Sequence, residues 1–286
     1  RSSDLSSIID NLNINKCDYI IIFEELSNLN FDYIKIKKLS KNKNTELIII
    51  SNNSNITLGN KLEMASWNRK DSNRIVVAAD ASAKFAGAVN VLHNIVEDTN
   101  TAKIANSTVN AGEIKINADE DINASDIVVS AAGSKNLAIA VAPVINYYGD
   151  SSDETDEAKK KGKTLAEISG STINDAAITM QANTDIDTRD IVVGAGFAMQ
   201  GVSGTGVAVK NNNNTITKAV IDSGSIVDTA KNVILNADST IDFNNWLVGV
   251  AAGGQGVALA GNVIINEITS VVETSILDSK IKNAGN

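Results

Sequence analysis

Short apolar runs, interrupted every few residues by Asn, Asp, Ser or Gly, make up most of the chain. The segments EIKINADEDINA (113–124) and NVILNADSTIDF (232–243) alternate in part between apolar and polar positions, which is typical of strands with one buried face. Denser apolar runs such as LAIAVA (137–142) are typical of strands buried on both faces. Between residues 74 and 286 no segment has the period of an amphipathic helix, and DEAKKKGK (156–163) is the one local helix candidate. The pattern therefore predicts a succession of short strands.

These runs are copies of three themes. The first theme ends in Asn and occurs as RIVVAADASAKFAGAVNVLHN (74–94), DIVVSAAGSKNLAIAVAPVIN (126–146), DIVVGAGFAMQGVSGTGVAVKN (190–211) and NWLVGVAAGGQGVALAGNVIIN (245–266). The second theme follows each copy and carries a spaced apolar pair, namely Ile104/Val109, Ile168/Ile173, Ile221/Ile226 and Ile276/Ile281. The third theme closes the first three units as KINADEDI (115–122), TMQANTDI (179–186) and ILNADSTI (234–241).

The themes recur at regular distances. Ile168 lies 64 residues beyond Ile104, and Ile221 lies 53 residues beyond Ile168. The longer unit contains YYGDSSDETDEAKKKGKT (147–164), a polar insertion that we interpret as an exposed loop or a short charged helix. Short strands, turn residues at each break and a repeat of about 53–64 residues predict an all-β fold, a parallel β-helix or β-solenoid. Its units start near residues 74, 126, 190 and 245, and each would make two or three coils.

This architecture gives the glycines and asparagines of DIVVGAGFAMQGVSGTGVAVKNNNN (190–214) a structural role. Equivalent positions of a solenoid stack about 4.8 Å apart, and small residues let two walls of a coil approach closely. Glycine also takes the corners with positive φ, which other residues avoid. Asn211–Asn214 is predicted to be a turn with stacked amides, and the alternative is a disordered linker.

Residues 1–73 do not share the repeat and are predicted to be irregular N-terminal solenoid coils or a cap, with YIIIF (19–23), YIKIK (33–37) and LIIIS (47–51) as strands. Residues 74–286 form the repeat-built solenoid. The sequence starts without Met and has no evident terminus, so we interpret it as a segment of a longer protein. It contains no signal peptide and no apolar run long enough to span a bilayer.

Composition narrows the function classes. The net charge of −9 argues against a nucleic-acid partner, which needs a basic surface. Apolar residues make up 43% of the chain but aromatic residues only 4%, which suits thin, closely stacked layers of aliphatic side chains. Cys17 is the one cysteine, so no internal disulfide can form, and we interpret it as a small buried apolar residue.

Few residues point to catalysis or to a cofactor. His93 is the one histidine, so a zinc or transition-metal site and a histidine-based triad are not predicted. The runs GAGFAMQG, GVSGTG and GGQG lack the Lys-Ser/Thr of a phosphate-binding loop, so no nucleotide cofactor is predicted. Asp185 and Asp187 share one strand face, where two carboxylates can act in glycoside hydrolysis, but acidic residues recur there in each unit, as turn-capping residues would.

The repeat DIVVGAGFAMQGVSGTGVAVKNNNNTITKAVIDSGSIVDTAKNVILNADS (190–239) resembles the units of filamentous-haemagglutinin-like and leukotoxin-type filamentous adhesins, which are very large secreted bacterial exoproteins. The resemblance covers about residues 74–286. It implies a β-solenoid passenger that is exported through an outer-membrane β-barrel and projects from the cell surface. It brings no catalytic residues.

We therefore expect a non-enzymatic rod segment of a secreted or surface-attached adhesin, without cofactor or metal. The partner would be an unidentified protein or glycan on a host or bacterial cell, and nucleic acid is not expected to bind. The insertion is the expected binding element, through Tyr147, Tyr148, Asp150, Asp153, Glu154, Asp156 and Glu157. A carbohydrate-active β-helix of the polysaccharide lyase or hydrolase type, a toxin module and a passive spacer remain as alternatives.

Overall fold

The computed structural model describes residues 27–41, 45–50, 55–152 and 159–283. Within these ranges every regular element is a β-strand, and all strand pairings are parallel. This confirms the predicted all-β, parallel β-helix fold. No helix in the described part of the chain is long and apolar enough to cross a membrane. Cys17 and the strand predicted at residues 19–23 lie outside the described residues.

Three sheets make up the solenoid. The first contains β1, β3, β7, β8, β11, β12, β15, β16 and β19, the second contains β2, β6, β10, β14 and β18, and the third contains β4, β5, β9, β13 and β17. The strands are β1 (Ser27–Lys41), β2 (Thr45–Ile50), β3 (Asn55–Ser82), β4 (Phe85–Val89), β5 (Leu92–Val96), β6 (Asn100–Ala105), β7 (Thr108–Asn110), β8 (Glu113–Ser134), β9 (Leu137–Gly149), β10 (Lys163–Ser169), β11 (Thr172–Asn174), β12 (Ala177–Ala198), β13 (Val202–Asn214), β14 (Ile216–Asp222), β15 (Ile226–Asp228), β16 (Val233–Gly253), β17 (Ala258–Ile268), β18 (Val271–Ile276) and β19 (Lys280–Lys282).

Repeat-equivalent residues lie in register across neighbouring strands. Ile168 pairs with Ile104 on one side and with Ile221 on the other, and Ile221 pairs with Ile276. The third theme behaves in the same way, since Ile186 pairs with both Ile122 and Ile241. The unequal repeat lengths therefore do not shift the register, because the additional residues leave the stack as a loop between β9 and β10.

Strand β3 runs across residue 74, where the sequence places the start of the repeats. It spans Asn55–Ser82 and pairs with β7 and then with β8 along its length. Residues 63–70 occupy the place of the third theme, because Glu63 pairs with Lys115 and Lys70 with Ile122. Residues 55–73 thus form part of a regular coil.

The long strands of the first sheet pack against both other sheets. Their N-terminal halves contact the second sheet around Ile116, Ile168, Met180 and other fully buried aliphatic residues. Their C-terminal halves contact the third sheet, first through valines such as Val128 and then through alanines such as Ala138. The core is thus widest between the first and second sheets and thins to a layer of alanines, as the low aromatic content requires.

Glycine in the first sheet allows the third sheet to approach closely at one level of the coil. A Cβ added to Gly194 would lie 2.8 Å from Val207 Cγ1, which is too close for two carbon atoms. Gly194 is in register with Ser130, and Val207 is in register with Ala142. In one coil the larger of the two facing side chains is therefore Val207 of the third sheet, and in the preceding coil it is Ser130 of the first sheet.

We expect Gly194→Ser to lower the free energy of unfolding by about 1–3 kcal/mol, because the new side chain overpacks against Val207. Adding Val207→Ala should recover part of that loss, since it recreates the Ser130 and Ala142 combination of the preceding coil. Urea unfolding measures both effects. Gly204→Ser is the control, because nothing lies within 4 Å of a Cβ added there. If the stability losses of the Gly194→Ser and Val207→Ala single variants simply add in the double variant, the two side chains do not compete for one space.

The turn predicted at Asn211–Asn214 is wrong. These residues are the last four of strand β13, and Asn211 and Asn213 face the interior, where each is fully buried. Asparagine is compatible with this strand because the side-chain amide of Asn211 forms hydrogen bonds with asparagines of the neighbouring coils. The turn preference of Asn is thus overridden by hydrogen bonding to other coils.

Candidate functional site

The insertion loop, residues 150–162, leaves the solenoid between β9 and β10. Tyr147 and Tyr148 belong to β9, so the loop begins at Asp150, directly after the terminal Gly149. Asp153, Glu154, Asp156 and Glu157 lie outside the described residues, as does part of the helix candidate at 156–163. The structure therefore locates three of the seven predicted binding residues.

Two glycines hold the ends of the insertion loop together. Gly149 has φ +93° and Gly162 has φ +68°, a backbone region that favours glycine. A Cβ added to Gly162 would overlap the Cα of Gly149, so the chain leaves and returns at one point. Because β10 pairs with β6 and β14 immediately afterwards, the loop interrupts none of the stacked strands.

Hydrogen bonds fix the base of the loop. The backbone N–H groups of Ser152 and Lys161 donate to the buried Asp150 carboxylate at 2.8 and 3.0 Å. Burial acts to raise the pKa of Asp150, but hydrogen bonds from Ser152 and Lys161 outweigh it and hold the pKa below its ordinary value. Asp150 thus closes the loop on its own backbone.

Glu97 ties the loop to the chain that follows β5. Lys161 Nζ lies 2.6 Å from Glu97 Oε2, and the Ser151 hydroxyl also donates to Glu97. The hydrogen bonds from Lys161 and Ser151 lower the pKa of Glu97. The base of the loop is therefore anchored beside β5.

The two tyrosines point in opposite directions, as neighbours in a strand do. Tyr148 is 1% exposed, its ring stacks on Phe243 with centroids 6.1 Å apart, and burial raises the pKa of its hydroxyl. Tyr147 is half-buried and meets His93 edge to face at 5.5 Å. Tyr147 is thus the tyrosine at the outer surface, whereas Tyr148 belongs to the core.

A cleft with a volume of about 230 Å³ lies next to this base. Its walls come from the first and third sheets, and it is lined by Lys70, Ser72, Arg74, His93–Val96, Ile122–Ala124 and Tyr148. Strand β1 pairs with β3 as far as Arg69, and no described strand pairs with β3 on that side beyond this residue. The cleft therefore borders the free edge of β3. The sequence did not predict this cleft, because its position depends on where the pairing between β1 and β3 ends.

The two cations that line the cleft are paired with carboxylates that do not line it. Arg74 Nε and Nη2 donate to the two carboxylate oxygens of Asp126 at 3.0 and 3.4 Å. Lys70 Nζ lies 3.5 Å from Asp98 Oδ2. Each cation that lines the cleft is thus matched by one carboxylate.

Behind the cleft, a ladder of four asparagines runs through the solenoid. Asn94 Nδ2 donates to Asn146 Oδ1 at 2.6 Å, and Asn146 Nδ2 donates to Asn211 Oδ1 at 2.7 Å. Asn211 Nδ2 donates to Asn266 Oδ1 at 3.0 Å. These are the asparagines that end the first theme in every unit, and the amide stacking predicted for Asn211 occurs here on a strand rather than at a turn.

A second polar column faces the ladder from the first sheet. Arg74, Asp126, Asp190 and Asn245 are in register along it. Asp126 and Asp190 are fully buried, and Asp190 Oδ2 accepts a hydrogen bond from Asn146 at 3.0 Å. Burial and repulsion from Asp126 raise the pKa of Asp190 to about 7, against the opposing hydrogen bond from Asn146 and the charge of Arg74.

Two buried polar atoms of the cleft have no partner among the described residues. They are Oδ1 of Asn94, which is 4% exposed, and the hydroxyl of Tyr148. Buried polar atoms in proteins are nearly always hydrogen-bonded, to protein, water or a ligand. Neither atom is accessible from the cleft, so their missing partners do not identify a ligand there.

The acidic residues of the third themes, other than the buried Glu120, lie on the outer face of the first sheet. Asp185 is exposed, Asp187 is half-buried, and Arg189 contacts Asp187 at 3.2 Å. Burial, followed by repulsion from Asp121, Asp187 and Asp238, raises the pKa of Asp185. Among the described residues no group of three or more His, Cys, Asp or Glu side chains is placed to hold a metal ion.

No protein family, curated protein or solved structure matched this chain.

Proposed function

We propose that this chain is a rod segment of a secreted or surface-attached bacterial adhesin that presents binding elements to other cells. The single observation that carries the proposal is the in-register parallel stack, which continues unchanged on both sides of the insertion loop. Such a stack lengthens by repetition, and it holds a loop in a fixed place without requiring a new fold. The resemblance of the repeats to filamentous adhesins supports export through an outer-membrane β-barrel.

The ligand in this proposal is a protein or glycan on a host or bacterial surface. The base of the insertion loop supports this role, because Gly149, Gly162, Asp150 and Glu97 hold it firmly against the solenoid. A loop held at its base loses less conformational freedom on binding than a loop on a flexible stem. No catalytic step and no cofactor enter the proposal.

Solution scattering and cell binding test the proposal together. We expect an elongated particle, and we expect deletion of residues 153–158 to reduce binding to epithelial cells and on a glycan array. This deletion retains Asp150 and Lys161, whose hydrogen bond closes the loop. Asp242→Ala, on the outer face of β16, is the control substitution. A compact particle, or cell binding that never exceeds background, would refute the proposal. Unchanged binding after the deletion would refute the loop as the binding element.

A further inference from the structure

We propose that the outer face of the first sheet binds a second copy of this chain, so that two solenoids lie side by side. The surface that makes the contact, called the apolar face below, consists of the outward-facing residues within 75–81, 127–133, 191–197 and 246–252. The inference goes beyond the proposed function, because two rods can pair with or without a ligand on the insertion loop.

No polar side chain interrupts the apolar face. Its outward positions alternate with inward ones along β3, β8, β12 and β16, and each is Ile, Val, Ala, Gly, Phe or Trp. Ile75 and Trp246 belong to its two outermost strands and are 72% and 73% exposed, and Phe197 is 54% exposed. A contiguous exposed apolar surface of this kind often marks an interaction site in soluble proteins.

The apolar face has the size that the centre of a dimer interface needs. It covers four neighbouring strands about 4.8 Å apart and four alternate positions along each, which amounts to roughly 400–500 Å². An interface of standard size buries about 800 Å² on each partner, of which about 65% is apolar in homodimers. Contact between two apolar faces therefore supplies the apolar part, and the polar residues around them supply the rest.

Charge is distributed unevenly at the two ends of the apolar face. On its N-terminal side the outer face is acidic, with two arginines that contact carboxylates of the same face; these residues are Asp71, Asp119, Asp121, Asp185, Asp187, Arg69 and Arg189. On its C-terminal side the chain turns toward the third sheet at Lys84 and Lys135. Both lysines are exposed, and their ammonium groups form no ion pair with the described residues. Carboxylates thus lie at one end and unpaired cations at the other.

A twofold rotation brings these opposite charges together. With the axis parallel to the solenoid and passing through Val129, the two apolar faces meet with their strands antiparallel. Lys135 lies six residues after Val129, so Lys135 of the second copy lies opposite Asn123, six residues before it. Asn123 is in register with Asp71 on one side and with Asp187 on the other. This charge complementarity favours a second copy as the occupant of the apolar face.

The same charges disfavour a membrane as the occupant. Anionic lipids attract basic surfaces, but the residues beside the apolar face are mainly acidic. A twofold contact also uses the same surface on both copies, so it closes at two chains and does not continue into a fibre. The expected product is therefore a dimer of parallel rods.

Sedimentation velocity of the full chain from about 1 to 200 µM tests the pairing. We expect a dimer to form as the concentration rises. Val193→Lys should leave a monomer at every concentration, because Val193 is in register with Val129 and the variant places two lysines on the axis. Thr179→Lys is the matched control outside the apolar face, where the neighbouring coil already carries Lys115 in register. A chain that stays monomeric, or a dimer that persists in Val193→Lys, would overturn the proposal.

A second variant tests the charge pairing without touching the strands. Lys84 and Lys135 lie in turns, and their joint replacement by Glu should weaken dimerisation about tenfold at low salt and much less at about 0.5 M salt. An unchanged dissociation constant at low salt would contradict the arrangement.

Carbodiimide cross-linking of mixed labelled and unlabelled chains locates the contact. We expect bonds between Lys135 of one copy and Asp71 or Asp187 of the other. Within one chain these groups are separated by twelve strand positions, about 40 Å, so such a bond can form only between copies. A dimer without these cross-links would refute the proposed orientation.

Two further outcomes separate this inference from its alternatives. Flotation of the original chain but not of Val193→Lys with phosphatidylcholine vesicles would replace the second copy by a lipid surface and overturn the proposal. If the chain dimerises through the apolar face but does not bind cells, the adhesive function fails and the pairing stands. If it binds cells as a monomer, the pairing fails and the adhesive function stands.

Discussion

Asn211→Ala is expected to lower the free energy of unfolding by about 1–3 kcal/mol, whereas Asn212→Ala should change it by less than about 0.5 kcal/mol. The two residues are neighbours in the same run of asparagines. Asn211 is fully buried, and Asn212 is half-buried with its side chain directed away from the core. The comparison therefore isolates the effect of the side chain's position from that of residue type.

The large effect follows from the contacts of Asn211. It accepts a hydrogen bond from Asn146 at 2.7 Å and donates to Asn266 and Asn245 at 3.0 and 3.2 Å. Alanine removes all three bonds. Of the partners, Asn146 is fully buried and keeps its hydrogen bond to Asp190, whereas Asn245 is half-buried and Asn266 is exposed, so water can replace what these two lose. Each buried group that loses its partner costs about 1–3 kcal/mol. Some of this cost is recovered if water enters the space.

Urea unfolding of the two single variants measures the difference. The variant Asn211→Asp provides a second comparison, because it keeps the size of the side chain but cannot donate to Asn266 or Asn245. We expect it to be destabilised as well. Equal stability of the Asn211→Ala and Asn212→Ala variants would mean that the ladder does not hold the coils together.

The ladder also marks the limit of what the sequence could predict. The repeat spacing correctly placed Ile104, Ile168 and Ile221 on top of one another, because apolar positions in a solenoid must recur to keep one core. The same recurrence exists at Asn94, Asn146 and Asn211, yet asparagine is most often a turn residue, and the sequence predicts a turn at Asn211–Asn214. The direction of each asparagine side chain follows from the alternation of the apolar residues beside it in the strand. Its hydrogen-bond partners, however, depend on which sheets face each other.

The site was less predictable than the fold. Alternation along β9 separates Tyr148 from Tyr147, since Val144 and Asn146 of the same parity are buried. The cleft, in contrast, requires residues from four strands, β3, β5, β8 and β9, and the end of the pairing between β1 and β3 at Arg69. Local patterns carry no information on such an edge, so the polar lining of Lys70, Arg74 and Asn94 could not be assembled from the sequence.

A large effect of pH is expected at Asp190. This carboxylate lies between Asp126 and Asn245 on its own sheet and faces Asn146 of the third sheet, and the one cation of the column, Arg74, is bound to Asp126. One oxygen of Asp190 has no partner among the described residues. Its ionised form is therefore poorly compensated, and burial with repulsion from Asp126 raises its pKa from 3.8 to about 7.

A raised pKa of an acid destabilises the folded state as the pH rises. Between pH 4 and pH 7 the folded chain holds a proton on Asp190 that the unfolded chain has already lost, so stability falls with increasing pH across this window. Above pH 7 the cost is complete and constant. Glu120, whose pKa burial raises to about 8 against the hydrogen bonds from Asn68, acts in the same direction.

Asp190→Asn should abolish the contribution of this residue to the pH dependence. The next coil already carries the amide at the equivalent position, Asn245, so the substitution fits the column. We expect the variant to exceed the original chain in stability by about 2–4 kcal/mol at pH 8 and by less than half of that at pH 5. Urea unfolding at the two pH values measures this, with Asp242→Asn on the exposed face as the control. A gain of the same size at pH 5 and pH 8 would show that the amide stabilises through its hydrogen bonds rather than through the loss of charge.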